Sequence, residues 1–124
     1  MARRNVLLPY QIASAEDLST DFQTAVTNVQ NLDKVVYKVV TSGVTDNTGT
    51  FGVQVRDTRP NSPNQDSGWI DLTFDAAPVL NDDNSAYYIE ANVVATEARL
   101  IFTAAGGTPD GTAEIWVSGT QIGG

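Results

Sequence analysis

Acidic residues are the only plausible catalytic groups in this sequence of 124 residues. The chain has no histidine and no cysteine, which removes the Ser-His-acid triad, the cysteine nucleophile and thiolate metal sites. Two carboxylates hydrolyse glycosides when they lie about 5–10 Å apart across a cleft. The acids on or beside predicted strands are Asp71, Asp75, Glu90, Glu97 and Glu114. Because fifteen acids in a small β protein form such pairs by chance, we interpret them as solvated faces and turn caps and predict no enzyme.

Asn and Asp clusters in the predicted loops supply oxygen atoms of the kind that calcium binds. They lie at 81–84 and at Asp46 with Asp110. No spaced calcium-loop motif accompanies them, and Asn and Asp also form turns by bonding to their own backbone. The glycine-rich segment 106–111 is followed by neither lysine nor a helix, so it predicts a connecting loop rather than a phosphate site. We therefore expect no metal and no cofactor.

The charge balance excludes two classes of partner. Seven basic and fifteen acidic residues give a net charge of −8. Nucleic acid binding needs clustered Lys and Arg, and anionic membranes repel an acidic surface. No apolar run approaches the ~20 residues of a membrane span. We expect neither nucleic acid nor membrane as a partner.

Short strands separated by turns make up nearly all of the sequence. The segment 34–40 is rich in β-branched residues, and 51–56 alternates apolar with polar or small residues. We predict about eight strands, at 5–13, near 26–30, and at 34–40, 51–56, 69–74, 87–94, 97–104 and 112–122. The turn cluster 46–49 and the loop 106–111 indicate hairpins, and 14–23 predicts a turn or one short helical turn at most.

This pattern predicts an all-β fold, an antiparallel β-sandwich or jelly roll, with a small barrel as the alternative. We expect a single sandwich domain over 13–124, preceded by an N-terminal arm or first strand over 1–12. The predicted core consists of Val35, Val39, Phe51, Val53, Val55, Trp69, Leu72, Phe74, Ile89, Leu100, Phe102, Ile115 and Val117.

The N-terminal segment is the strongest candidate for contact with another protein. Arg3 and Arg4 stand in an otherwise acidic chain and are followed by Val6, Leu7 and Leu8. Two interpretations stay open: a plain first strand, or a basic arm that adds a strand to the sheet of a neighbour.

Exposed aromatic side chains are the second candidate for binding, because sugar rings stack on aromatic faces. Trp69 and Trp116 lie in alternating strands, where packing is the commoner role. Tyr87 and Tyr88 are consecutive, so their side chains point to opposite faces of a strand and one of them is expected outside. They form an alternative glycan site, together with the loops 57–67 and 75–85.

Several segments resemble small β-sandwich structural proteins of tailed bacteriophages. The resemblance runs from Leu32 to Gly119 and is carried by 31–37, 49–55, 68–72, 99–103, 111–113 and 118–119. These motifs are turns, core aromatics and strand alternation, and none is catalytic.

The resemblance implies a non-enzymatic virion protein, assembled in the host cytoplasm. Its expected role is decoration or cement on the assembled capsid head. The expected partners are the major capsid protein or another virion protein, and further copies of the chain in a homo-oligomer, with a trimer favoured. The alternative function is a tail- or fibre-associated module that binds a cell-surface glycan.

Overall fold

The computed structural model describes residues 6–45, 47–57, 68–72, 86–93, 95–106 and 109–121, without the side chain at position 87. Nine strands lie within these ranges. They are β1 (Val6–Asp17), β2 (Phe22–Gln23), β3 (Thr27–Asn28), β4 (Lys34–Ser42), β5 (Thr50–Arg56), β6 (Ile70–Asp71), β7 (Ala86–Asn92), β8 (Glu97–Thr103) and β9 (Thr112–Thr120). The described ranges contain no helix, and so none that is long and apolar enough to cross a membrane.

The strands form two antiparallel sheets that pack against each other, which confirms the predicted β-sandwich. Sheet A has the order β1-β9-β4-β7. Sheet B is built around β8, with β5 and then β6 on one side and the short strands β2 and β3 on the other. Because each sheet has an inner and an outer face, alternate residues of a strand point to the core and to solvent.

The alternation along β4 shows how the sequence produces the core. Val35, Tyr37, Val39 and Thr41 are buried, while the residues between them are half-buried on the outer face. β9 alternates in the same way, and its Gly119 lies on the inner face. A Cβ atom at Gly119 would lie 2.8 Å from the carbonyl oxygen of Lys34 and 2.7 Å from Cδ1 of Leu32. Glycine therefore allows the close approach of β4 and β9 at this point.

Most of the predicted core is confirmed. Nine of the predicted residues are buried in one hydrophobic cluster: Val35, Val39, Phe51, Val53, Ile89, Leu100, Phe102, Ile115 and Val117. Val55 and Leu72 are partly buried and pack against that cluster, and Phe74 lies outside the described residues. The core also contains residues that the sequence pattern did not single out, namely Leu18, Val29, Tyr37, Val44, Ala91, Val93, Ala98 and Ala113.

Trp69 was predicted in the core, and that prediction is wrong. Its ring is half-buried, and Arg56 and Arg99 pack against it with their guanidinium carbons 4.6 Å and 4.2 Å from the ring centre. The strand predicted at 69–74 is shorter in the structure: among its described residues, only Ile70–Asp71 forms a strand, β6. Trp69 lies just before this short edge strand, where two long cationic side chains pack against its ring.

Two predicted hairpins are also wrong. β4 and β5 flank the turn cluster 46–49, and β8 and β9 flank the loop 106–111, but the members of each pair lie in different sheets. Both connections therefore cross from one sheet to the other. Turn-forming residues mark where the chain reverses, and they do not determine which strand it pairs with afterwards.

The segment 14–23 contains a turn at 18–20 and no helical turn. Asp17, the last residue of β1, accepts hydrogen bonds from the backbone N–H of Ser19 at 2.8 Å and from its hydroxyl at 2.7 Å. These bonds close the turn and hold the pKa of Asp17 below its ordinary value of 3.8.

Candidate functional site

The N-terminal strand is an integral part of sheet A. β1 pairs with β9 from Val6 opposite Thr120 to Asp17 opposite Thr112, so the predicted division between residues 12 and 13 falls inside a strand. Three register irregularities interrupt the pairing. Among the described residues no strand pairs with the other side of β1, which makes it an edge strand.

β1 exposes apolar side chains at its beginning. Val6 is 57% exposed and Leu8 is 73% exposed, whereas Leu7 is half-buried opposite the inward-facing Gly119. Arg3 and Arg4, the basic part of this candidate site, lie outside the described residues. We call Val6 and Leu8 the β1 patch.

A row of paired residues runs across the outer face of sheet A beside this patch. Gln11 of β1 pairs with Trp116 of β9, Trp116 pairs with Lys38 of β4, and Lys38 pairs with Tyr88 of β7. Paired residues of neighbouring strands point to the same face. The register thus places Trp116 and Tyr88 two strands apart, roughly 10 Å between their backbones, with a lysine between them.

The aromatic pair borders a shallow depression of about 280 Å³. Its lining consists of Pro9, Lys38, Tyr88, Trp116, Val117 and Ser118. Tyr88 is 64% exposed, while Trp116 is half-buried. The indole N–H of Trp116 donates to Oε1 of Glu114 at 2.6 Å, and this bond fixes the orientation of the ring. We call Trp116, Lys38 and Tyr88 the aromatic platform.

The charges on this face balance one another. Both lysines of the chain, Lys34 and Lys38, are on β4, at positions whose side chains point to the outer face of sheet A. Lys34 forms an ion pair with Glu90 of β7, with Nζ 3.6 Å from Oε2. Glu114 lies on β9, which pairs with β4 on the side opposite to β7. The outer face of sheet A is thus close to neutral around the platform, although the whole chain carries −8.

The outer face of sheet B carries a network of side chains that bond to one another. Arg99 donates to Oε1 of Gln54 and to Oε1 of Gln23, both at 2.8 Å. Gln54 in turn donates to Oδ1 of Asp71 at 2.7 Å. Arg56 donates to Oε1 of Glu97 from both Nε and Nη2 at 3.0 Å and 2.7 Å. With Trp69 packed against the two arginines, this network ties β2, β8, β5 and β6 together.

The predicted carboxylate candidates are spread over the two outer faces. Glu97 and Asp71 belong to the sheet B network, whereas Glu90 and Glu114 lie on the outer face of sheet A. Each of the four carboxylates contacts a basic or hydrogen-bond-donating side chain on the same face of the sandwich. Asp75 lies outside the described residues. The four described carboxylates are therefore bound to basic or polar neighbours on opposite sides of the sandwich.

The loop acids considered for calcium take part in a structural cluster at one end of the sandwich. Asp110 accepts hydrogen bonds from the backbone N–H of Thr45 at 3.0 Å and from its hydroxyl. The buried amide of Asn47 donates to the carbonyls of Leu18 at 2.9 Å and Asp110 at 2.8 Å. Asp46 and 81–84 lie outside the described residues, and within the described ranges no three acidic side chains gather as metal ligands.

Two hydroxyl groups are enclosed between the sheets. Tyr37 of β4 and Thr27 of β3 are 0% and 2% exposed, and neither hydroxyl has a hydrogen-bond partner of good geometry among the described residues. Burial raises the pKa of the Tyr37 phenol well above its ordinary value of 10.0. The neighbouring Thr27 hydroxyl, which favours the ionised form, offsets only part of this effect.

Sequence reasoning identified one of the three platform residues. Tyr88 was a candidate because one of two consecutive tyrosines must face outward, and the side chain of Tyr87 lies outside the described part of the chain. Trp116 was assigned to packing, and Lys38 was not a candidate. The signal that joins them is the register of β7, β4 and β9, which no single segment contains.

Comparison of the chain with protein-family models and with curated proteins finds no match.

Proposed function

We propose that this chain is a non-enzymatic structural protein of a tailed-phage virion, a decoration or cement protein that binds the assembled head through the β1 patch. The virion setting comes from the resemblance of segments between Leu32 and Gly119 to phage β-sandwich proteins. The observation that carries the docking surface is the exposure of Val6 and Leu8 on an edge strand that is itself paired into sheet A.

Exposed large apolar side chains concentrate on β1. Among the described residues, the large hydrophobic side chains exposed most are Val6, Leu8, Tyr10, Val26, Ile70 and Tyr88, and three of these lie within the first five residues of β1. Leu8 is the most exposed of them, at 73%. A cluster of exposed apolar groups supports contact with another protein, whereas single ones do not.

The form of β1 favours contact through side chains over the addition of a neighbouring strand. Pro9 lacks a backbone N–H, and the pairing with β9 has three register irregularities. Proline and bulges are devices that keep an edge strand from pairing with other chains. We therefore propose an apolar pocket on the capsid protein as the partner of Val6 and Leu8, with acidic groups near it that would receive Arg3 and Arg4.

Pairing with β9 gives this contact a rigid base. The backbone of the patch is held in sheet A, so little conformational freedom would be lost when the patch binds. Copies of the chain would occupy symmetry-related positions on the head, with a trimer as the favoured arrangement.

The test is rebinding of purified protein to heads of the phage whose genome encodes it, after deletion of the gene. Wild-type protein is mixed with these heads and bound copies are counted after sedimentation. We expect saturable binding by the wild type and a loss of at least about tenfold in affinity for Leu8→Asp, because a charge would enter an apolar contact.

Ile70→Asp is the matched control, since Ile70 is an exposed apolar strand residue, 49% exposed, in the other sheet. It should bind like the wild type. Circular dichroism should show both variants folded. Failure of the wild type to bind heads, or equal binding by Leu8→Asp and wild type, contradicts the proposal.

A further inference from the structure

We infer that the aromatic platform is a binding site for a neutral oligosaccharide. Trp116 and Tyr88 stand on the same outer face, two strands apart, with Lys38 between them. The C–H groups of a sugar ring are attracted to the electron-rich face of an aromatic side chain. Two such side chains about 10 Å apart suit alternate sugars, with one sugar between them, of an extended chain that lies flat on the sheet.

The indole of Trp116 is oriented before a ligand arrives. Its N–H is bonded to Glu114 at 2.6 Å, and the ring borders the depression shared with Pro9 and Tyr88. A side chain that is already fixed loses little freedom on binding, so stacking can contribute more fully to affinity. Trp69 differs in this respect, because Arg56 and Arg99 already lie against its ring.

The polar groups around the platform match hydroxyl groups. The Lys38 ammonium and the Ser118 hydroxyl line the depression and can donate to sugar oxygens, and the carboxylate of Glu114 can accept from sugar hydroxyls. An apolar floor with a few convergent polar groups is the usual composition of a ligand site.

The charge balance selects an uncharged ligand. Lys38 is offset by Glu114, and Lys34 is paired with Glu90, so the face offers no excess of positive charge to an anionic sugar. The net charge of −8 on the chain further disfavours sialylated or sulfated glycans. This site is distinct from the β1 patch, and the two can fail separately.

The experiment is a titration of ¹⁵N-labelled full chain with cellotetraose, maltotetraose and the tetramer of N-acetylglucosamine, followed by amide chemical shifts. Sialyllactose and a sulfated tetrasaccharide form the anionic arm. We expect at least one neutral tetraose to shift amides of β9, β4 and β7 around Trp116, Lys38 and Tyr88.

The variants are Trp116→Ala and Tyr88→Ala, with Trp69→Phe and Leu8→Asp as controls. The platform variants should lose affinity by about tenfold or more, and the controls should bind as the wild type does. Sedimentation of each variant is measured alongside.

Four results would overturn the inference: no binding of any neutral tetraose, binding confined to the anionic arm, unchanged affinity in Trp116→Ala, or shifts that map to sheet B. A fifth is a wild-type oligomer that dissociates in Trp116→Ala, since a second copy would then cover the platform.

Discussion

The two outer faces of this sandwich use tryptophan in different ways. On sheet B, Trp69 packs against Arg56 and Arg99, and the surrounding side chains bond to one another. On sheet A, Trp116 is fixed by one hydrogen bond and borders an open depression with Tyr88. On the outer face of sheet B the polar side chains bond to one another, while the outer face of sheet A presents oriented aromatic and apolar groups to the solvent. We interpret sheet A as the interacting side of the molecule.

The largest difference between the faces is expected from the two tryptophans. Trp69→Ala should lower the free energy of unfolding by about 3 kcal/mol, because it removes two cation–π contacts together with partly buried ring surface. Trp116→Ala should cost about 1 kcal/mol, since it removes one hydrogen bond and no cation–π contact among the described residues. Urea denaturation of both variants measures this. Equal losses, or a larger loss for Trp116→Ala, would contradict the assignment of the stabilising network to sheet B.

A matched pair of basic residues sharpens the comparison. Arg99→Met should destabilise the fold by about 1–2 kcal/mol, because Gln54, Gln23 and the ring of Trp69 all lose a partner. Lys38→Met should change stability by less than about 0.5 kcal/mol, as expected for a surface site outside such a network. Thermal unfolding of the two variants tests this, and a clear loss of stability in Lys38→Met would show that the platform lysine is structural.

The core between the faces provides a prediction about pH. The pKa of Tyr37 is raised in the folded state, so the chain favours folding while Tyr37 is neutral and loses stability as the pH rises above about 10. Tyr37→Phe should abolish this loss of stability at high pH. Because the hydroxyl that it removes has no hydrogen-bond partner of good geometry among the described residues, stability at pH 7 should change by less than about 1 kcal/mol. The denaturation midpoint should be clearly lower at pH 11 than at pH 7 in the wild type. In the variant, the difference between the two midpoints should be smaller. An equal alkaline shift in both would disprove a buried, neutral Tyr37.

The smallest effect on stability is expected at the β1 patch. Leu8→Ser should change the free energy of unfolding by less than about 0.5 kcal/mol, because Leu8 is 73% exposed. It should nevertheless weaken binding to phage heads. Denaturation and rebinding are measured on the same preparation, and a large destabilisation would mean that Leu8 packs within the chain instead of serving as a contact.

The sequence predicted the parts of the fold that depend on alternation along one strand. The positions Val35, Val39, Ile115 and Val117 were predicted in the core, and they are buried, since inward and outward residues alternate along β4 and β9. Tyr37 follows the same alternation and is buried, but it was not among the predicted core residues. The connections were predicted poorly because the turns at 46–49 and 106–111 give no information about which sheet the next strand joins.

The candidate site was harder to predict because it depends on register between strands. Tyr88, Lys38 and Trp116 come from β7, β4 and β9, and only their pairing places them in one row. Trp69 has the same local pattern as Trp116, an aromatic residue beside alternating residues, yet arginines from β5 and β8 cover it. The difference between the two lies in neighbours that are distant in sequence.

Amide hydrogen exchange of the protein, alone and mixed with the phage heads of the proposed function, tests most directly the claim that sheet A is the interacting side. The outer edge of β1 has no partner among the described strands, so its outward amides should exchange readily in the free protein. We predict that binding slows exchange in β1, most strongly near Val6 and Leu8, and leaves β6 and the Trp69 network unchanged. Protection confined to sheet B would contradict the account.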